Sequence, residues 1–381
     1  MTRTDSWSGR LVLMAAHCAG MVDLVALPVW VCTLIAHYGF DPQQAGALAT
    51  LFLAGAVAAS LVCAPRFNRL PGRPVAALGF GAAALAFFAL SFTGDFATMA
   101  LLHALGGAAA GSALSVTHGT IGRSAGPHRL FALVGLALGV FAVAFLGLTP
   151  RLVAATGGAS LFKVFGSLML VAAVLAAWAF PGPDAQPPVR ETALSRLPAP
   201  VWFGIVGVSL MALNQAMLFS FVERIGVDRG FELASVHGVL LALGLVNLLP
   251  APLAAWLETR VPARHAMRTG PLLQALIALV VTHSLAFGPY AVATALFAAV
   301  MIFTHTFAFG VLARLDPSGR AVAATPAMLM LGSAIGPVLG GTLVKASGYA
   351  ALGYVAAGIA ALGIFCFSRL HASPRLLGAT A

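Results

Sequence analysis

The stretch Leu11–Ala36, LVLMAAHCAGMVDLVALPVWVCTLIA, decides how this chain reads. It is long and apolar enough to cross a bilayer as one helix, yet Asp23 stands near its centre. An ionisable side chain at that depth costs roughly 2.5–3.5 kcal/mol on insertion scales, so it is expected to face a protein interior or a watery cavity. No second acid is expected at comparable depth anywhere else in the chain.

Composition supports the same class. The 381 residues are 60% hydrophobic and 8% charged, against about 25% charged for an ordinary soluble domain. A soluble protein of this balance could not cover its own surface, so the chain reads as an all-α polytopic membrane protein. The net charge of +10 does not point to nucleic acid. The basic residues are scattered singly through short loops, without the stripe and interleaved aromatics that such a surface needs. Cys18, Cys32, Cys63 and Cys366 all fall in or at the ends of apolar segments, and none is spaced as CxxC, so they read as packing residues. Arg3 and Arg10 precede the first apolar run, but that run exceeds the roughly 7–15 residues of a signal-peptide core and no small-residue cleavage site follows it.

Twelve apolar segments of spanning length can be marked, near 11–36, 43–64, 74–93, 96–120, 130–149, 160–180, 201–223, 233–257, 270–288, 290–313, 322–344 and 350–368. A Pro-rich polar stretch, PGPDAQPPVRETALSRLPAP (Pro181–Pro200), reads as an extended linker. It separates an N-terminal six-helix bundle (1–180) from a C-terminal one (201–381). With the N terminus in the cytoplasm, sixteen of the Lys and Arg residues fall inside and five outside (Arg151, Lys163, Arg224, Arg229 and Lys345). That bias places both termini and the linker on the cytoplasmic side.

The halves echo each other at an offset of roughly 192–197 residues. The basic loop RFNRLPGR (Arg66–Arg73) recurs as ETRVPARHAMR (Glu258–Arg268), Gly135 and Gly139 fall opposite Gly332 and Gly336, and Asp23 falls opposite Gln215. Many transporters are built from such repeats, with substrate held near the midplane between them.

With these features the chain resembles the major facilitator superfamily over essentially its whole length. The family's loop between helices two and three has the form G-x-L-A-D-R-x-G-R-[KR]. Here it reads NRLPGR, with Asn68 where Asp is usual, Arg69 and Arg73 fitting, and Pro71 as an insertion. The helix-four element R-x-x-Q-G-x-G-A-A appears as HALGGAAAG (His103–Gly111), with His103 in the place of Arg. The G-x-x-x-G-P-x-x-G-G pattern that drug exporters carry in helix five is absent there and appears in helix eleven as Gly332, Gly336, Pro337, Gly340 and Gly341. The start of helix two, YGFDPQQAGALATLFLAGAV, also resembles the drug:proton antiporter branch. The resemblance implies two six-helix bundles related by a pseudo-two-fold axis and working by alternating access. It makes Asn68, Arg69, Arg73, Gly336 and Pro337 candidate gating residues.

Asp23 is the first candidate for chemistry. Desolvation disfavours the charged form of a carboxyl, so the proton affinity of such a group changes as water reaches it from one side and then the other. Proton coupling is the reading favoured here; a packed, hydrogen-bonded acid and a counter-charge to a cationic substrate are the alternatives. His103 is expected to approach Asp23 across the contact of helices one and four, as a titratable partner or as a neutral side chain bonded to a neighbouring helix. Asn214, Gln215, Met211, Asn247, His305 and Trp30 are the candidate substrate-binding residues, each with helix packing as its alternative. The membrane histidines His17, His118, His237, His283 and His305 show no metal-ligand spacing on one helix, and no metal or other cofactor is expected.

Neither GxxxxGK[ST] nor a nucleotide-binding GxGxxG is present, so the energy source is expected to be a gradient and the chain is not expected to be an enzyme. No Lys or Arg falls at the centre of a predicted helix. The cavity is therefore expected to take small lipophilic neutral or cationic compounds, exported in exchange for protons. Proton-linked uptake of a small metabolite such as a monocarboxylate or sugar is the alternative, and a non-transporting membrane sensor or scaffold the rival of a different class. The expected partners are the substrate, protons and the lipid bilayer. A monomer is expected in the inner membrane of a bacterium.

Overall fold

The structure is a computed structural model that describes residues 3–182, 198–315 and 325–370. Among these residues it is all-helical, with twelve spans in two bundles of six. The first bundle contains span 1 (Trp7–Gly20 and Val22–Tyr38), span 2 (Pro42–Cys63), span 3 (Gly72–Leu90), span 4 (Phe96–Gly122), span 5 (Pro127–Thr156) and span 6 (Ala159–Ala179). The second contains span 7 (Ala199–Phe219 and Val222–Asp228), span 8 (Leu233–Val246 and Pro250–Leu257), span 9 (Ala263–His283), span 10 (Phe287–Leu315), span 11 (Thr325–Ser347) and span 12 (Ala350–Ser368). Eleven of these are long and apolar enough to cross a membrane. Span 9 misses that standard because its first turns carry Arg264, His265 and Arg268, and it begins seven residues earlier than its apolar segment suggested. Most of the expected linker, with Arg190 and Arg196, lies outside the described residues, as do Arg320 and Arg375.

Four glycines set the internal symmetry. Gly39, Gly157, Gly230 and Gly348 have positive φ, a conformation glycine adopts at no steric cost. They stop spans 1, 5, 7 and 11, and they form two pairs, Gly39/Gly230 and Gly157/Gly348, each 191 residues apart. This fixed offset corrects the one read from sequence. Counted back from the terminal glycine, the mate of Asp23 is Asn214 rather than Gln215. Gly135 and Gly139 likewise do not stand level with Gly332 and Gly336. Their packing differs too: a Cβ on Gly135 would meet nothing, whereas one on Gly332 or Gly336 would collide with the backbone of span 7.

The face on which span 1 begins is called here the near face, and the opposite one the far face. Toward the near face the halves keep separate cores. One is built on Val12, Leu13, Val116, Ile121 and Phe180, the other on Val208, Met211, Met267, Phe307 and Phe367. Toward the far face a single core takes residues from both halves, among them Trp30, Phe52, Phe165, Phe221, Tyr290 and Phe297. The halves are therefore sealed together on the far face, they still touch where Met330 of span 11 packs on Met21, Ala56 and Leu114, and beyond that cluster they keep separate cores toward the near face.

Spans 2 and 11 make the seal. Gly46 lies where a Cβ would strike the Pro337 carbonyl, and Gly341 where one would strike the carbonyl of Pro42. Small residues of this kind let membrane helices approach to backbone contact. Hydrogen bonds line the same seam. Val338 N–H donates to Thr50 Oγ1 at 3.2 Å, Gln43 Nε2 to Thr342 Oγ1 at 3.3 Å, and Lys345 Nζ to Asp41 Oδ2 at 2.9 Å and to Gln43 Oε1 at 3.3 Å.

The Asp41 carboxyl is pushed up slightly by partial burial, but the Lys345 ammonium and the Gln44 N–H outweigh this and hold it below the usual carboxylate range. A carboxyl lowered by folding stabilises the folded pair above its ordinary pKa, and that contribution is lost as pH falls through the lowered value. The latch should hold near neutrality and weaken only in acid. It is half-exposed, so it is worth at most about 1 kcal/mol.

Two substitutions separate packing from charge. Lys345→Gln should shift the sealed-to-open ratio no more than about fivefold, whereas Gly341→Leu should open the far face by a larger factor. The rate at which a cysteine at Gln43 reacts with an impermeant maleimide, with the native cysteines replaced, measures both. Equal effects would refute the primacy of the glycine contact.

Candidate functional site

The helix of span 1 breaks at Met21, whose backbone leaves the α region (φ −110°, ψ 15°). A Cβ on the preceding Gly20 would press into the Leu114 side chain of span 4, so glycine allows the two helices to meet there. Val22 starts a second helix, which places Asp23 in its first turn. Helix N-termini carry unpaired N–H groups and a positive dipole end, which favours an acid there. Asp23 is 1% exposed. Neither of its carboxyl oxygens has a hydrogen-bond partner. The discontinuous helix resembles in kind those that hold ligands at the midplane of transporters.

His103 does not meet Asp23. It is fully buried beside Trp30, which lies seven residues or two turns further along span 1, roughly 10 Å away along the axis. Trp30 Nε1–H donates to His103 Nε2 at 3.3 Å, and His103 Nδ1 pairs with the Met99 carbonyl at 2.6 Å. The two rings stack at 5.4 Å, and Phe52, Phe87 and Phe165 close around Trp30 with centroids 5.3, 6.0 and 4.8 Å away. Both ring nitrogens of His103 are thus engaged within an aromatic cluster. The direct approach expected from the family pattern gives way to an indirect one through the helix that carries Asp23.

In the second half, Asn214 is fully buried. Its Nδ2 donates to the Ala356 carbonyl at 3.3 Å, and its Oδ1 is enclosed without a partner. Asp23 and its symmetry mate thus share one character, a buried polar group with unused hydrogen-bonding capacity. Gln215 accepts from Gln274 Nε2 at 3.2 Å, and the same amide nitrogen reaches the Met211 carbonyl at 3.3 Å, so this group binds span 7 to span 9. Met211 belongs to the near-face core of the second half. Asn247 sits at the interruption of span 8 with its Oδ1 enclosed and unpartnered. His305 stands against Phe309, centroids 4.9 Å apart.

The candidate gating residues divide. Gly336 and Pro337 lie on span 11, Gly336 against span 7 and the Pro337 carbonyl against Gly46 at the far-face seal. Arg73 donates to the Ala177 and Trp178 carbonyls, which ties its loop to the end of span 6 within one half. Arg69 is exposed at the end of a short 3₁₀ helix, Ala64–Arg69; the side chain of Asn68 lies outside the described residues.

Two pairs were not legible in the sequence. His17 Nδ1 and His118 Nε2 meet at 3.0 Å across spans 1 and 4. Glu223 is a second buried acid, 5% exposed, with Oε1 3.4 Å from His237 Nε2. Read as the last residue of an apolar segment, Glu223 looked peripheral. The short helix Val222–Asp228 carries span 7 beyond it and encloses it, level with Cys32 and so nearer the far face than Asp23, which adds a buried acid at another depth. Among the described residues no three His, Cys, Asp or Glu side chains converge as metal ligands.

The sequence profile of the Major Facilitator Superfamily matches residues 12–325. No curated protein sequence matches the chain. Among solved structures, the chain is similar to a bacterial homolog of the human lysosomal transporter Spinster in an inward-facing, unoccupied conformation. That match has a TM-score of 0.68 and 12% identity, over 96% of this chain and 95% of that one. The inward-facing, occupied form of such a homolog matches with a TM-score of 0.67 and 14% identity, over 95% and 93% of the two chains. These likenesses bear on the fold. With the profile match across most of its length, the chain belongs to the major facilitator superfamily and is a multi-pass membrane transporter, not an enzyme.

Proposed function

We propose that this transporter is driven by protons and exports small lipophilic neutral or cationic compounds by alternating access, with both termini in the cytoplasm and the chain in a bacterial inner membrane. The observation that carries the reading is Asp23: an enclosed carboxyl without a side-chain partner, at a helix break in the region where the shared far-face core gives way to the separated near-face cores. A group so placed is enclosed in this state and would meet water from the near face once the halves part further on that side. It would meet water from the far face when the seal between spans 2 and 11 opens. Only a ligand or proton that binds the two states differently can move such an equilibrium.

The substrate class follows from the charge inventory. Among the described residues no Lys or Arg is buried, so the interior offers no fixed cation for an anionic substrate. Asn214 and Asn247 supply unused amide oxygens, which accept hydrogen bonds, and Met211 adds an adaptable apolar surface. The cytoplasmic placement of the near face rests on the sixteen-to-five distribution of Lys and Arg.

Proteoliposomes with an imposed pH gradient test the reading. Asp23→Asn should insert and fold but lose gradient-driven transport of a lipophilic cation, while wild type accumulates it in the direction opposite to proton flow. Unaltered transport by the variant would refute the role of Asp23. Accumulation in the same direction as protons would replace export with uptake.

A further inference from the structure

Cys32 and Glu223 are 191 residues apart, the spacing that relates the two halves. They are symmetry mates, and the helix of span 1 that carries Cys32, Val22–Tyr38, packs against the short helix of span 7 that carries Glu223, Val222–Asp228. By the same spacing the mate of His237 is Gly46, one of the glycines of the far-face seal. The C-terminal half thus carries a carboxylate–imidazole pair where the N-terminal half has a thiol and a glycine. Glu223 and His237 are each 5% exposed. One oxygen of Glu223 faces His237 and the other, Oε2, is enclosed without a partner.

The charged and titratable surroundings leave this pair distinct. The helix of Cys32 packs against it from span 1, and Tyr290 stands beside it on span 10, its hydroxyl committed to the Val222 carbonyl at 2.6 Å. On the short helix of Glu223, Arg224 is bound to Asp228 at 2.6 Å, and Asp228 also accepts from the Tyr349 hydroxyl at the start of span 12. Arg229 donates to the Thr282 carbonyl of span 9. Arg229 keeps its Nη1 enclosed without a partner, and none of these charged groups is bonded to Glu223 or His237.

We propose that Glu223 and His237 form a second proton-binding site, which is enclosed with one shared proton when the far face is sealed and exchanges protons with the far-face solution when it opens. The argument is one of charge. With one proton between them, a carboxyl and an imidazole are neutral overall, either as two neutral groups or as an ion pair. Two protons leave the pair at +1 and none at −1, and an uncompensated charge enclosed away from water is strongly disfavoured. Because Cys32 belongs to the other half, closing the seal is what encloses the pair. Sealing therefore selects the one-proton form, and the sealed fraction passes through a maximum as pH is scanned.

The inference rests on the reading that the chain alternates between states. Its test needs no substrate. Spin labels at Phe92→Cys and Leu285→Cys, exposed far-face positions in opposite halves, report the sealed and open populations in lipid nanodiscs. The four native cysteines are replaced in every arm. The expected result is a bell-shaped sealed fraction in the otherwise wild-type protein, changing several-fold on each limb. His237→Asn should lose the acid limb and Glu223→Gln the alkaline one. The double variant should be flat. His237→Gln stands in if the asparagine variant does not fold. Two populations whose balance ignores pH, or a bell that survives the double substitution, would overturn the inference and leave the role of Asp23 standing. A single unvarying distance would overturn the alternating reading and this inference together.

Discussion

A carboxyl enclosed in the middle of a membrane protein with no side-chain partner is costly, because neither lipid nor apolar side chains replace the water it gives up. Asp23 is in that position, and the surrounding structure answers the cost in part. The break at Met21 places it in the first turn of a helix, at the positive dipole end. The break in turn needs Gly20, so that span 4 can pack against the bend. Two turns further on, the Trp30 cluster with His103 fixes the second half of the span rigidly within the far-face core. Asp23 thus lies between a part of span 1 anchored in the shared core and a part whose helix packs mainly against spans 4, 5 and 6 of its own half.

The same boundary explains how one fold serves two states. Where the cores fuse, the halves meet through glycines at backbone distance, and where they separate, each half is internally complete. Cores and interfaces of this kind are bistable rather than continuously deformable. The charged latch of Asp41 and Lys345 rides on the glycine contact and contributes less to it than packing does.

Class, span count and the burial of Asp23 were legible because each rests on hydropathy, and hydropathy is written locally. The basic-residue bias and the spaced glycines of helix eleven needed only the order of residues. What escaped was set by three-dimensional register. Asn214 rather than Gln215 is the mate of Asp23, and a one-residue error of alignment in an apolar helix leaves no trace until the left-handed glycines fix the offset. His103 was expected at Asp23 from its place in a family motif. It pairs with Trp30 instead because a buried imidazole needs donors and acceptors for both nitrogens, and Trp30 and Met99 supply them. Glu223 was overlooked because the helix restarts at Val222, which no apolar count reveals. His17 and His118, 101 positions apart, meet only through the packing of spans 1 and 4.

The central claim is that Asp23 holds the proton exchanged for substrate. Proton release on ligand binding tests it most directly: purified protein in weakly buffered detergent solution with a pH-sensitive dye, to which a lipophilic cation is added at saturating concentration. The account predicts release of protons from wild type and none from Asp23→Asn when the variant binds the same cation. Equal release from both proteins, or saturable binding to wild type with no release at any pH, would contradict it.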